Sequence, residues 1–255
     1  MRLLGAGVAA ALTLTALAVG ARADELRLIS PNEIDYREIE IEHEGSAGFD
    51  RARDKDGGRV YSLDLGTGVT RWWHVGVELD WEREAGEGNP VQLDGAQIDS
   101  LIRLTEPGET WLDAGVYAEY SRSSRHGRDT PDDLLVGGVF LKDIGRTTHT
   151  LNLFFDRAFS PDEDVSGIRF SYAWQSRWTL GREYAPAIEA FGRAGRVDRP
   201  DGFQDGQLIV GPVATGTFLL GPAGKLRYEA GYLFGATDAS PSGTLRWKLE
   251  MEIPF

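Results

Sequence analysis

The chain has 255 residues, with 27 Lys and Arg against 40 Asp and Glu and a formal net charge of −13. An acidic balance of this size makes nucleic acid a poor partner. The absence of cysteine excludes a disulfide framework and thiolate chemistry, and 32 glycines with only two methionines fit a strand-and-turn protein better than a helical one.

The first residues read as an export signal. Met1 and Arg2 give a short positive start, residues 3–20 carry no charge, and Ala21-Arg22-Ala23 forms a small-x-small cleavage site followed at once by Asp24 and Glu25. This pattern predicts a secretory signal peptide over 1–23 and a short periplasmic lead-in over 24–33. A permanent anchor is the rival reading of the uncharged run; the small-residue site favours cleavage. Loss of Arg2 and Arg22 would lower the 27 basic residues by two, for a net charge of about −15. No later segment approaches a membrane-spanning helix, so any crossing must be made by strands.

From residue 34 onward the pattern predicts twelve strands, over 34–44, 59–69, 72–82, 91–105, 111–121, 134–143, 148–159, 167–179, 184–195, 207–219, 225–236 and 244–255. Each is long enough for a tilted strand to cross a bilayer, which takes about 9–11 residues. Several alternate cleanly. In the third, Trp73, Val75, Val77, Leu79 and Trp81 oppose His74, Gly76, Glu78, Asp80 and Glu82. In the eighth, Ile168, Phe170, Tyr172 and Trp174 oppose Arg169, Ser171, Ala173 and Gln175. In the eleventh, Leu226, Tyr228, Ala230, Tyr232 and Phe234 oppose Arg227, Glu229, Gly231 and Gly235. The sixth and ninth strands declare no face.

The connections alternate between longer stretches, such as 45–58, 83–90, 122–133 and 196–206, and shorter ones, such as 70–71, 106–110 and 144–147. Long loops at one end and short turns at the other are the habit of an outer-membrane barrel. With an even number of strands, both termini fall on the short-turn, periplasmic side. Trp72, Trp73, Trp111, Tyr184 and Trp247 near strand ends fit aromatic girdles. A soluble periplasmic sandwich or barrel also alternates, but accounts for neither the strand lengths nor this rhythm.

The last strand is the most regular. Leu245, Trp247, Leu249, Met251, Ile253 and Phe255 are apolar at every second position, and Arg246, Lys248, Glu250 and Glu252 lie between them. This resembles the closing strand of bacterial outer-membrane β-barrels, which typically ends on an aromatic residue preceded by apolar residues at alternate positions. The resemblance implies an all-β, closed antiparallel transmembrane barrel of about twelve strands in meander order over 34–255. It also implies an outer-membrane location, with Trp247, Leu249, Met251, Ile253 and Phe255 as an assembly signal. The partners it implies are outer-membrane lipid, lipopolysaccharide, periplasmic chaperones and the assembly machinery. The whole organisation also resembles outer-membrane transporters of the phenol and toluene pathway type; it carries over no binding residues.

With apolar faces outward, the polar faces line the lumen: Glu38, Glu40, Glu42, Asp64, His74, Glu78, Asp80, Asp99, Arg103, Asp113, Glu119, Arg169, Arg177, Arg227, Glu229, Arg246, Lys248 and Glu250. Acids come mainly from early strands and bases from late ones. Arg246 and Lys248 are expected to face Glu38, Glu40 and Glu42 across the seam. Glu78 and Asp80 are expected to oppose Arg169, Arg177 and Arg246, a transverse field suited to a charged or dipolar solute. The favoured expectation is a channel or transporter for a small, unidentified solute. The alternative is a structural or accessory barrel of a surface or export system, with these charges filling its interior. A lipid-modifying enzyme ranks third. It would need Ser beside His on the outer wall, where His43 and His149 are the candidates, but the motif context of such enzymes is missing. No catalytic residue, cofactor or metal is expected. The acidic loop runs Asp162-Glu163-Asp164 and Asp54 with Asp56 lack the spacing of a calcium loop.

Overall fold

The computed structural model describes residues 26–32, 34–86, 88–123, 131–162 and 165–255. The signal-peptide segment and Glu163-Asp164 lie outside the described residues, as does His126. Twelve strands occur in chain order: β1 (Glu38–Phe49), β2 (Arg59–Thr70), β3 (Trp73–Arg83), β4 (Gln92–Arg103), β5 (Asp113–Ser123), β6 (Asp133–Ile144), β7 (Thr147–Ala158), β8 (Arg169–Trp178), β9 (Ala185–Arg196), β10 (Gln207–Leu219), β11 (Lys225–Gly235) and β12 (Gly243–Pro254). Each pairs antiparallel with its chain neighbours, and β12 closes on β1, so the sheet has no free edge. The all-β meander barrel read from the sequence is the fold.

Three details differ from the sequence reading. β1 begins at Glu38 and runs on through Gly45-Ser46-Ala47-Gly48, a small-residue stretch that reads locally as a loop. Gly45 pairs with Trp247 of β12 and Tyr61 of β2, and its missing side chain leaves room for the indole: a Cβ there would meet Cζ2 at 2.2 Å. The connection 104–112 is as long as those at the opposite end, so the long–short rhythm has one exception. The described part of the 24–33 lead-in does not hang outside: residues 26–32 run up the inside of the barrel.

Alternation sets the two surfaces. Outward stand Ile39, Ile41, Leu63, Leu65, Val77, Leu79, Ile98, Ile102, Val136, Ile188, Leu245 and Leu249, all solvent-accessible and apolar. Exposed aromatics cluster at both rims. Trp72, Trp73, Trp111, Trp178, Tyr184 and Phe218 lie at the short-turn end; Phe49, Tyr120, Phe159 and Phe234 lie at the long-loop end. Trp247 is no rim residue; it covers Gly45 and lies 5.9 Å from the Tyr61 ring.

The inward surface is not uniformly polar. β6 turns Leu135, Val139 and Leu141 inward, and β9 turns Ala185, Ala187, Glu189 and Phe191 inward. Two apolar clusters result. One gathers Ala173, Ala187, Phe191, Ile209, Val213 and Leu233 around Leu26. The other gathers Leu101, Tyr117, Val139 and Phe154 around Ile34, with Ile29 packed against it.

Candidate functional site: the lumen and its internal segment

Segment 26–32 enters from the short-turn end and climbs to the waist as residue numbers fall. Its sequence, Leu-Arg-Leu-Ile-Ser-Pro-Asn, carries apolar side chains for the two clusters and a proline that discourages pairing as a thirteenth strand. The wall satisfies its backbone instead. Asn152, fully buried on β7, accepts from the Ile29 N–H at 2.8 Å and donates from Nδ2 to the Ile29 carbonyl at 2.7 Å. Arg246 Nε donates to the Leu26 carbonyl at 3.2 Å, and Arg103 Nε donates to the Pro31 carbonyl at 2.9 Å. Asn32 Nδ2 donates to Asp113 at 3.0 Å.

Arg27 occupies the waist. Its guanidinium lies 3.5 Å from Glu78, 3.4 Å from the Gln97 side-chain oxygen and 5.5 Å from the Tyr117 ring centre, and contacts Glu119. Glu119 is held by the Tyr117 hydroxyl and by Ser121 Oγ, each at 2.9 Å. Gln97 Nε2 donates to Asp80.

The expected lumen residues all face inward; the expected seam contact of Lys248 with Glu42 forms, while the other cations take different partners. Arg246, 2 % exposed, lies 3.1 Å from Glu189, 2.8 Å from Glu229 and 3.7 Å from Glu44, over the Phe191 ring. Arg169 pairs with Asp133 at 2.8 Å and Asp156 at 2.5 Å. The opposition of Glu78 and Asp80 to Arg169 and Arg246 is therefore replaced by local pairing on each wall. Arg27, which the sequence reading did not assign to the lumen, is the cation at Glu78. At the seam, Lys248 reaches Glu42 at 2.5 Å, while Glu38 meets Lys225 of β11 at 3.7 Å. Glu40 lies with Glu42 and Glu250 in an acidic group near Lys248. Arg103 grips the segment, and Arg177 faces inward near the short-turn end of β8. Sequence reasoning missed Glu189, Glu44, Asn152 and Arg27. Glu189 is a lone acid in an apolar strand, and such an acid signals a buried partner.

Two acidic triads, Asp35, Glu38, Glu252 and Glu40, Glu42, Glu250, have the spacing to hold a cation. Side chains supply it: Lys225 and Arg227 contact Glu252, and Lys248 lies 3.9 Å from Glu250.

Two cavities meet at the segment. A vestibule of about 180 Å³ opens at the long-loop end, bounded by Leu26 and Arg27 below and by Asp80, Glu119, Asp156, Arg169 and Arg193 around it. A second cavity of about 70 Å³ lies toward the short-turn end, bounded by Arg27, Leu28 and Ile29 and by Glu40, Asp64, His74 and Asp99. Gly76 makes room there, since a Cβ would meet Asp99 Oδ2 at 2.2 Å.

His149 faces outward. Its Nδ1 lies 2.5 Å from Ser176 Oγ and its Nε2 lies 3.0 Å from Thr147 Oγ1. Ser176 is only 4 % exposed. His43, also outward, has Nδ1 2.7 Å from the Ser62 carbonyl, and its Nε2 accepts from Trp247 Nε1 at 3.4 Å.

No family model matches this sequence, and no curated protein matches it. Among solved structures, a bacterial polysaccharide outer-membrane secretin is similar at 9 % identity and TM-score 0.40, over 87 % of this chain and 99 % of that one. The translocator domain of autotransporter NalP from Neisseria meningitidis is similar at 11 % identity and TM-score 0.45, over 86 % and 88 %. Likeness at this level lends no weight to a function.

Proposed function

We propose that this barrel spans a bacterial outer membrane and forms a narrow conduit for a small polar solute, closed at rest by segment 26–32. The membrane reading rests on the outward surface. Exposed apolar side chains on strand after strand, among them Ile39, Leu65, Val77, Ile98, Val136, Ile188 and Leu249, form a belt between two aromatic rims, where a soluble monomer would carry scattered single residues. Strands that share all their hydrogen bonds around a closed barrel can cross lipid. The apolar alternation of Leu245, Trp247, Leu249, Met251 and Ile253 along β12 supports recognition by outer-membrane assembly machinery.

One observation carries the conduit: the vestibule and the inner cavity are both bounded by Arg27, a residue of the segment and not of the wall. Withdrawal of the segment would join them. Liposome swelling tests this. Vesicles holding the intact chain should swell slowly in small sugars and amino acids, and vesicles holding a chain lacking 26–32 should swell several-fold faster. A deletion variant that folds yet leaves vesicles tight would support a filled, structural barrel instead, a reading that the two apolar clusters around Leu26 and Ile34 favour.

The outward Ser176–His149 pair is read as hydroxyl satisfaction on an apolar wall. Ser176 is covered, and the second ring nitrogen meets Thr147 rather than a carboxylate.

A further inference from the structure

We propose that the waist of the lumen is a binding site for guanidinium-bearing solutes and that Arg27 is its tethered occupant. This rests on the reading of segment 26–32 as a removable closure. The site is built for a flat, delocalised cation. Glu78 and Glu119 supply carboxylates, Gln97 supplies an amide oxygen, and the Tyr117 ring lies 5.5 Å from the guanidinium carbon. Carboxylates and an aromatic face together suit a guanidinium better than a metal ion, which would draw oxygen ligands around itself and gain little from a ring.

The acceptors are oriented from behind, independently of Arg27. Glu119 receives hydrogen bonds from Tyr117 and Ser121, each at 2.9 Å, and Gln97 is anchored through its amide nitrogen on Asp80. A site held by its own wall keeps its shape when the occupant leaves. Arg27 also borders both cavities, so the vacated site faces the vestibule on one side and the inner cavity on the other. A diffusing cation that matches Arg27 would compete with it. The solute would then help to release the segment that closes its own path, because a ligand that binds only the open state shifts the population toward it.

The test is binding of argininamide to the full chain folded in detergent micelles, with glycinamide as a cation lacking the guanidinium. Folding is checked by heat-modifiable migration on SDS gels. Arg27→Ala and Arg27→Gln should each bind argininamide at least about tenfold more tightly than the unaltered chain, and more tightly than they bind glycinamide. Adding Glu119→Gln should remove about tenfold, the scale of one charge-assisted hydrogen bond. In the unaltered chain, argininamide but not glycinamide should speed trypsin cleavage after Arg27. Folded Arg27 variants that bind argininamide no better than the unaltered chain would overturn the site, as would equal binding of the two probes. If neither variant folds, trypsin cleavage of the unaltered chain decides alone: no acceleration by argininamide overturns the proposal. Binding without any solute flux would leave this site standing and remove the conduit.

Discussion

Lys248 Nζ lies 2.5 Å from Glu42 Oε2, joining the last strand of the barrel to the first. Both side chains are largely withdrawn from water, at 11 % and 15 % exposure. Removing one member of such a pair leaves the other desolvated without its partner, at about 3–5 kcal/mol. Lys248→Met should therefore lower the temperature at which the folded, fast-migrating form converts to the slow form on SDS gels. Glu42→Gln should cost less in the Lys248→Met background than alone, with a coupling of about 0.5–3 kcal/mol. Strict additivity would mean that the seam does not depend on this contact.

Gly45 and Trp247 test the same seam on its outer face. A methyl group at position 45 would fall 2.2 Å from the indole ring, so Gly45→Ala must push Trp247 outward or shift β1 against β12. Overpacking of this kind costs about 1–3 kcal/mol. A lowered heat-modifiability transition together with altered tryptophan fluorescence is expected. A neutral substitution would argue that the ring moves freely.

The twelve strands were legible because period two is a local signal, and the clear faces of β3, β8, β11 and β12 followed from it. β6 and β9 declared no face for a physical reason. Leu135, Val139 and Leu141, and likewise Ala185, Ala187 and Phe191, point inward, so both surfaces of those strands are apolar. They are apolar inside because Leu26, Ile29 and Ile34 dock there. The segment itself was illegible: nothing local separates a solvated lead-in from a peptide threaded through a lumen. The pairing of charges was half legible. Alternation assigns the face of Arg246, but only closure of the barrel brings it to Glu189 and Glu229, acids that lie 57 and 17 residues away in sequence.

At the long-loop end, Asp50 ties two loops together. Its carboxylate accepts from the Ala52 N–H at 2.7 Å and from both the N–H and the hydroxyl of Ser242 at 2.8 Å. The Ala52 hydrogen bond, then that of the Ser242 hydroxyl, holds its pKa below the usual value of 3.8. A carboxyl with a lowered folded-state pKa contributes stability that is present above 3.8 and lost as pH falls through the lowered value. The protection of the Ser242 amide, judged by its exchange rate relative to the intrinsic rate at the same pH, should fall below about pH 4 in the native chain. Asp50→Asn should already exchange fast at neutral pH. Protection that stays constant through this range would remove Asp50 as the tie.

The outward histidine gives a negative test. His149→Ala and Ser176→Ala should leave phospholipid in reconstituted vesicles as intact as the native chain leaves it. His149→Ala should cost about 1–3 kcal/mol, through the hydroxyls of Ser176 and Thr147 it would abandon. Phospholipid cleavage by the native chain that vanishes in both variants would make the pair catalytic.

Closure of the lumen by segment 26–32 is tested most directly by single-channel recording in planar bilayers. The intact chain should remain near the baseline, interrupted at most by brief openings. The chain lacking 26–32 should hold a sustained open level, which a synthetic peptide of residues 26–32 added in solution should block. A folded deletion variant that conducts no more than the intact chain would contradict the account.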